Sequence, residues 1–458
     1  MKCLVGNKII VRGATKKLHN WCMDNLVLAN PEFEKKERMG LWTGGTPRTI
    51  YLYEKNGFDL VLPFGCVAQL RRDFPEAEFF TSIRPNSAFN YGSHINLYPY
   101  QENAVKSALD GKNGIIVMPC GAGKTQTGLE IIARLGKKAL WLTHTQDLLN
   151  QSMNRAKAVF GCGIKSYGTI TGGKVDISEG LTFATVQTMS GLDLAEYRDY
   201  WDVVIVDECH RAIGSPTKVM QFYKVLSNLS CRYKFGLTAT PKRADGLERA
   251  MYSLIGEKLC EVSRDEVADT TCPVKVITLE TGYAPNMDMA LAGDGTINYA
   301  GLVEDLTSNV DRRNFIIDVL HKLDDGGVLV LANRVGYLQD LDSAYNRRSM
   351  CLSGLVNSKA AKAERKEALK KLNDGKLDCI FATYQLAKEG LDVPNLRYVV
   401  FATPEKDETT VQQAAGRVGR KAEGKDFGTV IDFVDDFGMY CGWAQKRRRV
   451  YRKLGYEY

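Results

Sequence analysis

Residues 114–125 read Gly-Ile-Ile-Val-Met-Pro-Cys-Gly-Ala-Gly-Lys-Thr, and no other stretch restricts the fold as strongly. The branched apolar run at its start suits a strand buried on both faces. The small residues that follow can turn sharply, and a helical pattern opens at Lys124. A buried strand that turns straight into a helix is the first part of a βαβ unit, so it belongs in a parallel sheet covered by helices.

The same alternation continues along the chain. Ala139-Leu140-Trp141-Leu142, Leu181-Thr182-Phe183-Ala184, Val203-Val204-Ile205-Val206 and Phe235-Gly236-Leu237 complete one sheet. Val328-Leu329-Val330-Leu331, Cys379-Ile380-Phe381-Ala382, Val399-Val400-Phe401-Ala402 and Thr429-Val430-Ile431-Asp432 make a second, with 360–372 as an amphipathic helix. Residues 258–310 are weakly patterned, and 292–296 read as a loop or lid. Residues 1–95 differ: runs at 49–53 and 58–62 flank Asn56-Gly57, a hairpin signal. The expected fold is α/β, with two tandem parallel-sheet domains at 96–270 and 271–458 preceded by a small separate α+β domain at 1–95.

A length of 458 residues agrees with several domains, since one core rarely grows so large. No apolar run of about 18 residues predicts a membrane span, and the N-terminus lacks the pattern of a signal peptide. A cytoplasmic protein is expected. The 12 cysteines form no CxxC pair and the 5 histidines are scattered, so reduced thiols are expected and structural zinc is not. The net charge of +7 suits a polyanionic partner. Residues 445–458 concentrate it, with six Lys or Arg against Glu457, either as a solvated helix end or as a stripe that binds a phosphate backbone.

Three segments carry chemistry. In the first, Gly121, Ala122 and Gly123 let backbone N–H groups wrap phosphates at a helix N-terminus; Lys124 reaches the β- and γ-phosphates and Thr125 ligates Mg2+. The first glycine of the general pattern is replaced by Met118. In the second, a buried strand delivers Asp207 and Glu208 to its C-terminal end, where ligands of open parallel sheets bind. Asp207 holds Mg2+, and Glu208 orients and deprotonates the attacking water. The third, Gln413-Ala414-Ala415-Gly416-Arg417-Val418-Gly419-Arg420, places two arginines three apart on an expected helix, suited to the charge spread over a transferring phosphoryl group. Together they predict an ATPase closed by its second domain, so that hydrolysis couples to domain motion.

In this order the segments resemble the superfamily-2 helicases, whose motor halves are RecA-like domains, and the resemblance covers most of residues 97–435. It implies that Gln101 reads the adenine edge, that Asp392 lies near the ribose, and that His210, Thr238 and Thr240 couple the ATP site to movement. It also implies nucleic-acid backbone contacts by Thr145, Gln187 and Thr188 in the first domain and by Arg334, Ser353 and Thr383 in the second. Asp207-Glu208-Cys209-His210 resembles the DExH box. Pro119-Cys120-Gly121-Ala122-Gly123-Lys124 and the 236–246 stretch are most similar to the XPB and UvsW group, and Asn30-Pro31-Glu32-Phe33 and 57–63 resemble the front domain of phage recombination helicases.

The expectation is a monomeric, ATP- and Mg2+-dependent 3'-5' DNA helicase that remodels branched DNA by fork reversal or Holliday junction branch migration, serving recombination, replication or repair for a bacteriophage. The alternatives are a duplex translocase or restriction-type motor that moves without separating strands, an RNA helicase, and an inactive ATP-gated scaffold.

Overall fold

The computed structural model describes the chain apart from His94, Cys120, residues 162–166, 211–215 and 240–247, Asp294, Asp325, residues 353–358 and 389–392, and Pro394. The side chains of residues 216–220, 268–270, 359–362 and 388 also lie outside that description. Met1–Pro119 with Gly123–Ser263 forms one compact unit, and Arg264–Tyr458 the body of a second.

The first unit begins with strands β1 (Lys2–Val5), β2 (Lys8–Arg12), β3 (Val27–Ala29), β4 (Thr49–Tyr51), β5 (Glu54–Asn56), β6 (Asp59–Pro63) and β7 (Glu78–Thr81). Five of them make a sheet in the order β5-β6-β2-β1-β7, while β3 and β4 pair separately. The Asn56-Gly57 turn does close a hairpin, with Gly57 at φ +60, but its first strand is 54–56. The 49–53 run was expected there and instead supplies β4, because Leu52 and Tyr53 turn into the core and interrupt the run before Glu54.

The larger sheet of this unit contains β8 (Asn113–Val117), β9 (Ala139–Thr143), β10 (Tyr167–Thr171), β11 (Lys174–Asp176), β12 (Leu181–Thr185), β13 (Val203–Asp207), β14 (Tyr233–Thr238) and β15 (Lys258–Glu261). Its order is β11-β10-β12-β9-β13-β14-β8-β15, parallel except where β11 pairs with β10. All five residues of β9, β12 and β13 are buried, as helices on both faces require.

The front sheet and this larger sheet share one apolar core. Leu18, Leu62, Phe64 and Cys66 belong to the same buried cluster as Met251, Leu254 and Ile255. Lys234, the second residue of β14, donates to the Leu226 carbonyl at 2.7 Å and lies 4.5 Å from the centre of the Phe64 ring. Burial pushes its pKa down to about 8. Gly65 sits tightest: a Cβ there would lie 2.5 Å from the carbonyl oxygens of both Ser253 and Tyr252. Gly65→Ala is expected to destabilise the unit by about 1–3 kcal/mol, as overpacking does. An unchanged melting temperature in calorimetry would refute that close approach.

The second unit contains β16 (Val274–Glu280), β17 (Gly327–Ala332), β18 (Ser349–Cys351), β19 (Cys379–Thr383), β20 (Leu396–Phe401) and β21 (Gly428–Val434). They form an all-parallel sheet in the order β16-β21-β20-β17-β19-β18. Residues 258–310, expected to be weakly structured, instead supply β15, β16 and the helices Met287–Ala290 and Tyr299–Ser308. Buried and exposed residues alternate at the start of β16, a strand with a single neighbour in its sheet, and such an edge needs no continuous apolar run.

The basic tail is also unlike a solvated end. Gly438–Lys453 is one helix, and Tyr440, Ala444, Arg447, Val450 and Tyr451 on it are buried. Arg447 reaches both carboxylate oxygens of Asp432 on β21 through Nε, each at 2.9 Å, and its side chain and that of Asp432 are each 1% exposed. Its remaining N–H groups donate to the carbonyls of Glu405 and Phe433. Only Lys446, Arg449, Arg452 and Lys453 of the six basic residues are exposed. Among the described residues, no helix is long and apolar enough to cross a membrane.

Candidate functional site

The C-terminal ends of the parallel strands in the first unit bring the sequence motifs to one edge. At the end of β8, the Met118 N–H donates to the Thr238 carbonyl at 2.9 Å, which ties the phosphate-binding loop to the end of β14. Gly121 and Gly123 then adopt φ +87 and +76, a left-handed backbone that other residues take only under strain. Gly123 caps the helix Lys124–Leu135, which brings the positive end of the helix dipole to the loop. A side chain at Gly123 would also collide with Gln101, whose Nε2 lies 2.3 Å from where a Cβ would stand. Gln101 is 1% exposed, and its Oε1 accepts from the Tyr98 N–H at 3.0 Å.

Asp207 ends β13 and Glu208 follows at φ +48, so the backbone turns and sends the two carboxylates in different directions. Asp207 Oδ1 accepts from the Glu208 N–H at 3.0 Å, and Oδ2 accepts from Ser152 Oγ at 3.2 Å. Glu208 lies between two cationic or polar partners: Oε1 is 3.7 Å from Lys124 Nζ, and Oε2 is 3.3 Å from His210 Nδ1. His210 Nδ1 is in turn 2.9 Å from Thr238 Oγ1, and both residues are buried. A polar chain thus runs from Lys124 through Glu208 and His210 to Thr238, linking three strand ends.

Burial raises the Asp207 pKa above the carboxylate range, and the Glu208 charge adds to that; Lys124 and the Ser152 hydroxyl oppose it. A buried acid held beside a second acid has a deficit of positive charge that a cation would relieve. The nearby donors, Asp207 and Thr125, are oxygens, the set that Mg2+ takes when phosphates and water complete its shell. Among the described residues, no group of three or more His, Cys, Asp or Glu could hold a metal without such help.

Ser152 was not singled out from sequence. The helix Gln146–Phe160 buries Leu149, Ser152 and Ala156, so a hydroxyl in an apolar stripe was the available signal.

The residues expected to touch nucleic acid in this unit also gather at the strand ends. Thr145 caps the same helix, accepting from the Leu148 N–H at 3.3 Å. Gln187 Nε2 donates to the His144 carbonyl at 2.9 Å, and Thr185 Oγ1 donates to Thr188 Oγ1 at 3.0 Å.

In the second unit, Arg334 is exposed and caps the helix Val335–Tyr345. Thr383 ends β19 and its Oγ1 accepts from the Leu386 N–H at 3.3 Å. Gln413 is buried in the helix Glu408–Ala415. Arg417 and Arg420 do not share a helical face as expected, because that helix stops at Gly416. Arg417 is 8% exposed and donates to the Ala387 carbonyl, whereas Arg420 forms a β-bridge with Thr271. Thr240, Ser353 and Asp392 lie outside the described residues.

Two family models match the chain, one in each unit. The model described as "Type III restriction enzyme, res subunit" matches residues 94–243, and the "Helicase conserved C-terminal domain" matches residues 311–422. The chain is an ATP-dependent superfamily-2 helicase.

This helicase is 24% identical, over 79% of its length, to a putative ATP-dependent RNA helicase of Acanthamoeba polyphaga mimivirus, of which it covers 68%. It is 27% identical, over 76% of its length, to a putative helicase of Sulfolobus islandicus filamentous virus, covering 66% of it. It is also 27% identical to the DNA 3'-5' translocase XPB2 of Sulfurisphaera tokodaii, over 72% of this chain and 80% of that protein. Among solved structures, the DNA-bound Type ISP restriction-modification enzyme LlaBIII matches with a TM-score of 0.58 and 18% identity, over 84% of this helicase and 32% of the enzyme. Dbp5 of S. cerevisiae bound to RNA and ADP BeF3 matches with a TM-score of 0.55 and 16% identity, over 79% of this helicase and 88% of that chain. These structures share its fold of two RecA-like domains.

Proposed function

We propose that this helicase moves 3'-5' on DNA and remodels branched molecules, using ATP and Mg2+. The chain of contacts from Lys124 through Glu208 and His210 to Thr238 carries the reading, because it joins the phosphate loop to the acid that activates water and to a neighbouring strand end. Loop N–H groups of residues 121–125 hold the β- and γ-phosphates, and Lys124 neutralises them. Thr125 and Asp207 would hold Mg2+, which would supply positive charge to offset that of the phosphates.

Lys124 stands beside Glu208 until phosphates in the loop draw the lysine away. Glu208 then accepts a proton from the attacking water, while Arg417 and Arg420 of the second unit meet the developing charge. His210 reports the state of Glu208 to Thr238. Thr145, Gln187 and Thr188, with Arg334, Ser353 and Thr383, grip phosphates, contacts that carry no base sequence.

Support for DNA as substrate comes from the archaeal relative, named as a DNA 3'-5' translocase. The expected result of a substrate panel is ATP-dependent strand separation of a synthetic Holliday junction and a fork, with little activity on a blunt duplex. Preference for an RNA duplex would replace DNA with RNA in this reading. Movement on duplex DNA, seen as triplex displacement without strand separation, would make the chain a translocase.

A further inference from the structure

An indole held in water is a feature of the first unit that folding does not explain. Trp42 is 82% exposed, and Met39 and Leu41 beside it are 60% and 53% exposed. The loop that carries them, residues 39–48, is nevertheless firmly anchored. The Leu41 N–H donates to the Lys36 carbonyl at 2.9 Å, the Asn30 N–H to the Arg48 carbonyl at 3.0 Å, and Asn30 Nδ2 to the Pro47 carbonyl at 2.7 Å. Lys36 Nζ reaches Thr46 Oγ1 at 2.7 Å. Gly44 lies against the indole so closely that a Cβ there would be 2.1 Å from Cζ2. Backbone hydrogen bonds and Gly44 thus fix the ring, and its outer surface is left to solvent.

The charges around the ring select a partner. Arg38 and Arg48 stand exposed at the two ends of the loop, with Lys35 one turn before the first. From Arg38 to Tyr53 the chain has no acidic residue. A flat aromatic surface between cations matches the way single strands are bound: a base stacks on the ring and the flanking phosphates meet positive charge.

We propose that the 39–48 loop is a single-strand platform, on which Trp42 stacks against an unpaired base while Arg38 and Arg48 hold the adjoining phosphates. The proposal rests on the nucleic-acid reading above and adds to it a base contact made outside the two motor sheets. In a duplex the bases are stacked on one another, so the platform engages a strand only after it is opened.

The test uses the full chain and a short single-stranded oligonucleotide carrying 2-aminopurine. Trp42→Ala should weaken binding by about 5–100-fold and abolish the stacking-dependent quenching of the probe. Trp42→Phe should keep most of the affinity, whereas Trp42→Leu, apolar but unable to stack, should behave like Ala. Arg38→Gln and Arg48→Gln should each lower the slope of log affinity against log salt by about 1. Nucleic-acid-independent ATP hydrolysis and melting temperature should stay as in the wild type. If the wild type binds and Trp42→Ala binds equally well, this platform is refuted and the helicase reading stands. Equal behaviour of Trp42→Leu and Trp42→Phe would also refute it, and would mark the loop as an apolar protein contact. Failure of the wild type to bind any nucleic acid would remove both.

Discussion

Arg447→Ala is expected to lower the melting temperature of the second unit by roughly 6–20 °C and to leave that of the first unit in place. The substitution strands the Asp432 carboxylate, which is buried and has Arg447 as its ion-pair partner. Breaking a buried pair from one side costs about 3–5 kcal/mol, and each kcal/mol moves the midpoint of a domain this size by about 2–4 °C. Truncation before Trp443 should be worse, since it also removes Val450, Tyr451 and Leu454 from the core of that unit. Replacing both partners by apolar residues of similar volume, Arg447→Met with Asp432→Leu, should restore much of the loss. Lys446→Ala and Arg449→Ala, on the exposed face, should change stability by no more than about 0.5 kcal/mol. Scanning calorimetry resolves these cases, and a normal second transition in Arg447→Ala would contradict the buried pair.

Glu208→Gln should reduce ATP turnover by about 10²–10⁴-fold, the contribution of a positioned general base. Nucleotide affinity should hold, because Gln is isosteric and places no new bulk beside Lys124. Lys124→Ala, by contrast, removes the cation proposed to face the phosphates and should weaken both binding and turnover. Fluorescent-nucleotide titration with single-turnover hydrolysis separates the two effects. Wild-type turnover in Glu208→Gln would assign the base elsewhere.

Much of the fold could be read from residue order because central parallel strands must be apolar on both faces. β8, β9, β12, β13 and β14 all announce themselves in this way, as do β17, β19, β20 and β21. In the two large parallel sheets, the strands that escaped notice lie at or near the edges: β10, β11, β15, β16 and β18. Tyr167–Thr171 alternates in burial, and Ser349–Cys351 is only three residues long, so neither makes a continuous run.

At the site, the motifs predicted which residues gather, and in the first unit they do gather at the strand ends. What the motifs could not convey was orientation. Gln101 has its carbonyl oxygen taken by the Tyr98 N–H three residues before it, and Glu208 rests between its neighbour His210 and Lys124, which is far away in sequence. Spacing of three suggested a common helical face for Arg417 and Arg420, but Gly416 ends the helix first. The tail was misread because its charge was counted while its periodicity was not: Tyr440, Ala444, Arg447 and Tyr451 recur at three- and four-residue intervals, the stripe of a packed helix.

The apolar core that runs from Leu18 through Phe64 to Ile255 has a mechanical consequence. A front domain on a slack tether could wander while the motor works; one that shares side-chain packing with the first motor sheet cannot. Trp42 is consequently held in register with the first motor sheet like a mark engraved on a ruler, and a strand gripped there would be measured against that sheet. The same packing makes the front segment a poor candidate for transplantation. Excising it would tear open a hydrophobic interior, and point substitutions on its surface are the way to ask what it holds.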